Sequence, residues 1–277
     1  VKEILGFSGW SLFGATANVA NQQGTNIVLN MFTNVTVNAA MGIANQVNNA
    51  VYSFVSNFQT AFKPQLVKSY AAGEKEKFDT LLIRSAKFSF YLLWIIVLPL
   101  YLNCEFVLTL WLKNVPEYAV DFVRLILIYS LIESINGPLY IAIQATGKIK
   151  FYQIIVGIIN LSNLPFVIIA FYFDASPVWI MYIRIILNCI ALGFRFFLTN
   201  KFTKTKLSFF ICHNLIRPCF IVLFSFYCTT ILCSSLIGFS YFFVSCFLGV
   251  VISSIIIYLI GFDYNEKMYI IKKIRHK

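Results

Sequence analysis

Apolar runs of bilayer length recur along this chain, separated by short charged connections, and nothing else in the sequence limits its fold so sharply. A helix needs about 20 mostly apolar residues to cross a hydrocarbon core. Eight stretches reach that length, at approximately 5–32, 37–62, 79–103, 119–144, 151–173, 177–199, 208–234 and 236–261. With 59% hydrophobic and 12% charged residues among 277, the chain holds more apolar surface than a soluble globule of this size hides. The fold class implied is all-α: a polytopic integral membrane protein with about eight transmembrane helices.

The formal net charge of +11 would suggest nucleic acid in a soluble protein. Here the basic residues sit in alternate connections, which is the positive-inside pattern and excludes nucleic acid as the partner. Lys63, Lys68, Lys75, Lys77, Arg84 and Lys87 flank one connection. Lys148 and Lys150 mark the next of that set, then Lys201, Lys204 and Lys206, and then a tail with Lys267, Lys272, Lys273, Arg275 and Lys277. The other connections hold Lys113 as their basic residue, beside Glu105, Glu117, Asp121 and Asp174. Eight spans with both termini cytoplasmic satisfy this alternation.

One stretch resists a simple membrane reading. "NVANQQGTNIVLN", from Asn18 to Asn30, puts six carboxamides into thirteen residues of the first span. Helical spacing sorts Phe13, Ala17, Ala20, Gly24, Ile27 and Met31 onto an apolar stripe, with Ser11, Asn18, Gln22 and Thr25 on another face. The second span repeats this, with Asn38, Gly42, Asn45, Asn49, Tyr52, Ser56 and Gln59 opposite Ile43, Val47, Ala50, Phe54 and Phe58. An amide facing hydrocarbon leaves donors and acceptor unsatisfied, at a cost of several kcal/mol each. Two continuous amide faces exceed what interhelical glue requires and predict a hydrated cavity. Uncharged amides also match sugar hydroxyls, which donate and accept.

Ionisable residues at depth are functional candidates by default. Arg124 and Arg184 lie a turn or two inside their spans. Glu133, Gly137, Tyr140 and Gln144 share a face of the fourth span, near Asn136. Arg184, Asn188, Ala191 and Arg195 share one of the sixth, where Arg195, close to the lysine-rich end, reads as a snorkelling side chain. The candidate binding residues are therefore Arg124, Arg184, Asn18, Gln22, Asn45, Asn49 and Asn188, with Glu133 a candidate for ion coupling. Asn160 and Asn163 mark the fifth span. The seven cysteines have no metal-ligand spacing, and no cofactor or metal is implied. His213 and His276 have no spaced acidic partner, so the sequence offers no catalytic constellation and an enzyme is not expected.

Two stretches carry a family resemblance: "FQTAFKPQLVKSYAAGEKEKF" from Phe58 and "QATGKIKFYQIIVGIINLSNLPFVI" from Gln144. They resemble the bacterial polysaccharide flippases, the Wzx-type exporters in the MATE-like MOP superfamily. The resemblance implies two six-helix lobes around a cavity, followed by two extra helices. By that reading residues 1–200 are the second lobe, 201–262 the accessory pair and 263–277 a basic cytoplasmic tail, with the first lobe outside this sequence. It further implies flipping of an undecaprenyl-diphosphate-linked oligosaccharide across the bacterial inner membrane, for O-antigen, capsule or exopolysaccharide synthesis, by alternating access. The implied partners are that anionic lipid-linked oligosaccharide, membrane lipids and the polysaccharide polymerase. A drug/cation antiporter of the same superfamily is the nearest alternative, and an integral-membrane enzyme of polysaccharide assembly the next. An antiporter of cations calls for acids in its cavity, whereas here Glu133 faces two arginines.

Overall fold

The computed structural model of the protein describes residues 2–205, 210–234, 238–264 and 266–268, with the side chains of 2–5 left aside. The tail residues from 269 onward, with Lys272, Lys273, Arg275, His276 and Lys277, lie outside the described residues, as does Lys206. Every described element is a helix. They are α1 (Lys2–Phe32), α2 (Val35–Ala71), α3 (Lys75–Leu102), α4 (Cys104–Leu112) and α5 (Ala119–Ala145). There follow α6 (Ile149–Leu161), α7 (Asn163–Tyr172), α8 (Trp179–Thr203), α9 (Arg217–Cys233, entered through the π turn Cys212–Ile216) and α10 (Phe239–Ile256, running into the π turn Ile257–Gly261).

Local chemistry sets the breaks. Asn34 ends the α1–α2 reversal by accepting a hydrogen bond from the Val37 amide at 2.9 Å, a standard N-cap. Gly73 at φ +72° and Gly147 at φ +71° take the left-handed turns that end α2 and α5. Pro165 explains why the fifth predicted span divides. Its ring has no N–H for the carbonyl four residues back and clashes with it, and that residue, Leu161, is the last of α6.

Among the described residues, six segments are long and apolar enough to cross a membrane: α3, α5, α6 with α7, α8, α9 with its π turn, and α10 with its π turn. The protein is a multi-pass membrane protein. The expectation of eight spans also counted α1 and α2. At 31 and 37 residues these are long enough, about 46 and 55 Å at 1.5 Å per residue, but their amides hold their average apolarity below that of the other six. The short helix α4 occupies what the sequence presents as a connection.

Helix α5 is the hub. It packs on α2, α3 and α8, while α1 packs on α6 and α7, and α6 and α7 meet α8. This leaves two sub-bundles, α1–α6–α7 and α2–α3–α5–α8, with a space between them. The apolar core of Ala40, Ala44, Val55, Leu82, Leu93, Phe122, Ile126 and Leu139 fills the second sub-bundle and is fully buried, as is Leu29 of α1, which belongs to the same cluster. Outward-facing apolar residues such as Ile27, Met31 and Phe54 lie 59–73% exposed, as lipid contact requires. Trp111, Tyr172, Phe173 and Trp179 are exposed together at the end away from the lysines, in the manner of an interfacial aromatic belt.

Helices α9 and α10 pack on each other and lie against α3. Three polar fastenings on α3 or its end hold them. The Trp94 indole donates to Ser225 Oγ at 2.8 Å. Asn103 exchanges hydrogen bonds with Ser245 at 2.9 and 3.1 Å. Lys87, with no exposed surface, places Nζ 2.6 Å from Glu266 and 3.2 Å from Asp263. Arg84 and Arg217 complete that cluster, at 3.1 Å from Glu266 and 2.6 Å from Asp263.

Candidate functional site

The space between the sub-bundles is a polar channel in two compartments that share four residues, Asn18, Glu133, Asn160 and Arg195. The compartment toward the lysine-rich end has a volume of about 460 Å³ and the one beyond it about 300 Å³. The amides of the first two helices line it because their polar faces turn inward. Of the six carboxamides between Asn18 and Asn30, four line the channel: Asn18, Asn21, Gln22 and Asn26; Gln23 and Asn30 are exposed elsewhere. From α2 come Asn45, Asn48 and Asn49 on the far side and Tyr52, Ser56 and Gln59 on the near side.

These amides bond each other across helices. Asn160 donates to Asn18 Oδ1 at 2.7 Å, and Asn163 donates to Asn21 Oδ1 at 3.0 Å and to Thr25 Oγ1 at 3.2 Å. The glue reading of the amides is thus correct for the α1–α6–α7 seam, while their remaining surface lines the channel. Gln59 and Gln153 act as keys. Gln59 donates to Ser89 Oγ at 3.1 Å and to the Ser134 carbonyl at 3.0 Å, and its carboxamide lies so close to Gly137 that a Cβ there would overlap it. Gln153 stands in the same relation to Gly14.

At the waist, where the compartments meet, Arg195 is 7% exposed. It donates from Nε to the Tyr152 hydroxyl at 3.0 Å, reaches Asn188 Oδ1 at 3.5 Å and lies 3.8 Å from Glu133. Asn136 donates to both Glu133 Oε2 at 2.9 Å and Asn188 Oδ1 at 2.8 Å, completing a network from α5, α6 and α8. The snorkelling expectation for Arg195 is overturned. Its side chain is held inside by a counter-charge and a phenol, which offset the cost of burying a guanidinium. Glu133 is correspondingly an ion-pair partner at the waist.

Arg184, Gln22, Asn45, Asn49 and Asn188 all line the far compartment, and Asn18 and Glu133 line both. Arg184 lies over the Tyr129 ring at 4.3 Å. Arg124 is placed elsewhere. It lies on the α3 side of α5, 5.8 Å from the Tyr101 ring, and does not line the channel. Along α5 Arg124 lies nine residues before Glu133, half a turn away around the helix, so the two look to opposite sides. Sequence reasoning left out Arg195, Asn48, Tyr129 and Tyr152 from the site. Arg195 and Asn48 had a signal, since each is spaced three or four residues along a face already recognised as polar. Tyr129 had the same signal, four residues before Glu133, and Tyr152, two turns before Asn160, a weaker one.

A helical membrane protein whose interior is a polar channel, with an ion pair at its waist, has the architecture of a solute transporter. The chain belongs to the MatE family of the MOP superfamily, whose members are transporters: the family model matches residues 18–169. That match runs from α1 into α7, so the α8 residues Arg184, Asn188 and Arg195 lie beyond it. No curated protein and no solved structure matches the chain.

Proposed function

We propose that this transporter is a flippase that moves a lipid-linked, anionic oligosaccharide, of the undecaprenyl-diphosphate type, across the bacterial inner membrane. The observation that carries this reading is the make-up of the channel. Its polar lining consists mainly of uncharged amides and phenols, and among the ionisable residues at depth two arginines face one glutamate. Amides suit hydroxyls, and a guanidinium presents a planar fork of donors to phosphate or carboxylate oxygens. An antiporter of organic cations needs the opposite balance. Arg184, not Arg124, is the cation placed to meet the substrate. The lysine-rich end is the cytoplasmic side in this reading, by the positive-inside rule, with the termini of the chain on that side.

The chain reconstituted in liposomes tests this with a fluorescent polyprenyl-diphosphate oligosaccharide, scored by its accessibility to a reagent outside. Transport is expected from the unaltered protein, with most of it lost in Arg184→Ala and part retained in Arg184→Lys. Movement of ethidium in place of the lipid-linked glycan would make the protein a cation antiporter and end the flippase reading.

A further inference from the structure

Arg124 is a cation at depth that the channel leaves unused. It lies five residues beyond the first residue of α5, about 7 Å inside the end that carries the exposed aromatic belt, and lines neither compartment. No carboxylate lies within ion-pair distance of it among the described residues. The Tyr101 ring beside it, at 5.8 Å, is neutral and near the limit of a cation–π contact, so the charge stays uncompensated. Of the three guanidinium nitrogens only Nε is enclosed. Nη1 and Nη2 keep exposed surface and have no hydrogen-bond partner among the described residues. That surface opens on the outside of the bundle, on the flank where Tyr101 of α3 meets Phe226 of α9 edge-on. A guanidinium at the margin of the hydrocarbon is costly unless it reaches an anion.

Asp121 is the second observation. It is exposed, one turn nearer the end of α5 on the same face as Arg124, and has no ion-pair partner among the described residues. Glu105 of α4 is exposed nearby, and Asp121, Glu105 and Arg124 gather around the buried Cys104. The charges are therefore ordered by depth, with the cation inside and the carboxylates outside. A net-anionic headgroup would meet the arginine and be repelled by the acids. A zwitterionic headgroup fits in sequence, because a phospholipid carries its phosphate nearer the hydrocarbon than its ammonium.

We propose that this flank of α5 binds one zwitterionic phospholipid with a primary ammonium, a phosphatidylethanolamine by its chemistry, in the leaflet at the end away from the lysines. The phosphate sits on the Nη groups of Arg124 and the ammonium on Asp121 and Glu105. The inference is independent of what the channel carries, since none of these residues lines it.

Native mass spectrometry of the purified chain tests the site, with phosphatidylethanolamine and phosphatidylglycerol of the same acyl chains offered in equal amounts. The unaltered protein is expected to retain phosphatidylethanolamine in preference by about fivefold. Arg124→Gln should bring the two lipids to equal retention, and Arg124→Lys, which keeps the charge, should keep part of the preference. Asp121→Asn should raise retention of phosphatidylglycerol, which Arg124→Gln should not. Lys148→Gln removes a cation at the opposite end and should leave the preference unchanged. Equal retention by the unaltered protein, a preference for phosphatidylglycerol, or a preference that survives Arg124→Gln would overturn the proposal. Displacement of the lipid by glycerophosphoethanolamine at the same concentration would also overturn it, because the site would then read a soluble phosphate ester.

Discussion

Arg195 of α8 donates to the Tyr152 hydroxyl of α6 across 3.0 Å, joining the two sub-bundles at the waist of the channel. With Glu133 at 3.8 Å, the same guanidinium links α5 into the contact. The waist is therefore a three-helix junction built around one charged group, and its removal affects both the pair and the seam.

Arg195→Met should destabilise the protein by about 2 kcal/mol, less than the about 3–5 kcal/mol of a fully enclosed pair, because Glu133 retains access to the channel. Adding Glu133→Gln should recover part of the loss, since the unpaired carboxylate is then gone. Thermal unfolding of the two variants in detergent checks this, and equal loss in the single and double variants would show that the charge pair contributes nothing.

Gly137→Ala should act through Gln59. The added methyl overlaps the glutamine carboxamide, which then leaves Ser89 and the Ser134 carbonyl. Buried groups left unpaired cost about 1–3 kcal/mol. Gly137→Ala combined with Gln59→Ala should be more stable than Gly137→Ala alone. A double variant no better than the single would mean that the glycine serves some contact other than this key.

The cluster that fastens α10 should weaken in acid. Asp263 is pulled in two directions. Burial raises its pKa, but the hydrogen bond from Arg217 and the charge of Lys87 outweigh this and hold it below the usual aspartate value. A carboxyl whose folded pKa is depressed binds fewer protons when folded, so its contribution is complete above the ordinary value of about 3.9 and is lost as pH falls through the depressed one. The groups around it are Lys87 and Arg84 on α3, His213 and Arg217 at the start of α9, and Glu266 on its own segment. Protection of the amides of 262–264, 266 and 267 against exchange, corrected for the intrinsic rate, should therefore fall as the pH drops below about 4 in the unaltered protein. Asp263→Asn should exchange quickly throughout, and a flat profile in the unaltered protein would show that the carboxylate is not what holds the segment.

Cysteines introduced at Gln22 and Asn45 should react with small aqueous thiol reagents faster than cysteines at Ile27 and Met31, in a background without the native thiols. The first pair lines the channel and the second faces outward toward lipid. Equal, slow reaction at all four would return the amides to packing.

Much of this architecture was legible because membrane helices obey a narrow rule: polar groups must face protein or water. Asn18, Gln22, Asn45 and Asn49 were assigned to a cavity on that rule alone, and all four line the channel. Depth along the helix was a poorer guide. Arg124 and Arg184 look alike in sequence, each a short way inside a span, yet only the second points into the channel. What separates them is which neighbour each helix face meets, and that is a property of packing. Arg195 failed in the opposite direction. Closeness to the lysine-rich end suggested snorkelling, and a partner on another helix, Tyr152, kept it inside. The division of the fifth span at Ser162 was implicit in Pro165, which signals a kink in sequence but not whether the helix bends or breaks.

The inward amide faces of α1 and α2 also impose an order on biosynthesis. The bonds that satisfy Asn18 and Asn21 come from Asn160 and Asn163, each 142 residues further along the chain. When α1 leaves the ribosome its amides have no partner in the bilayer, and partitioning into lipid as a lone helix is unfavourable. The seam that lines this side of the channel therefore closes only after α6 and α7 have been made, and the polar face of α1 is completed by the far end of the chain rather than by its neighbours in sequence.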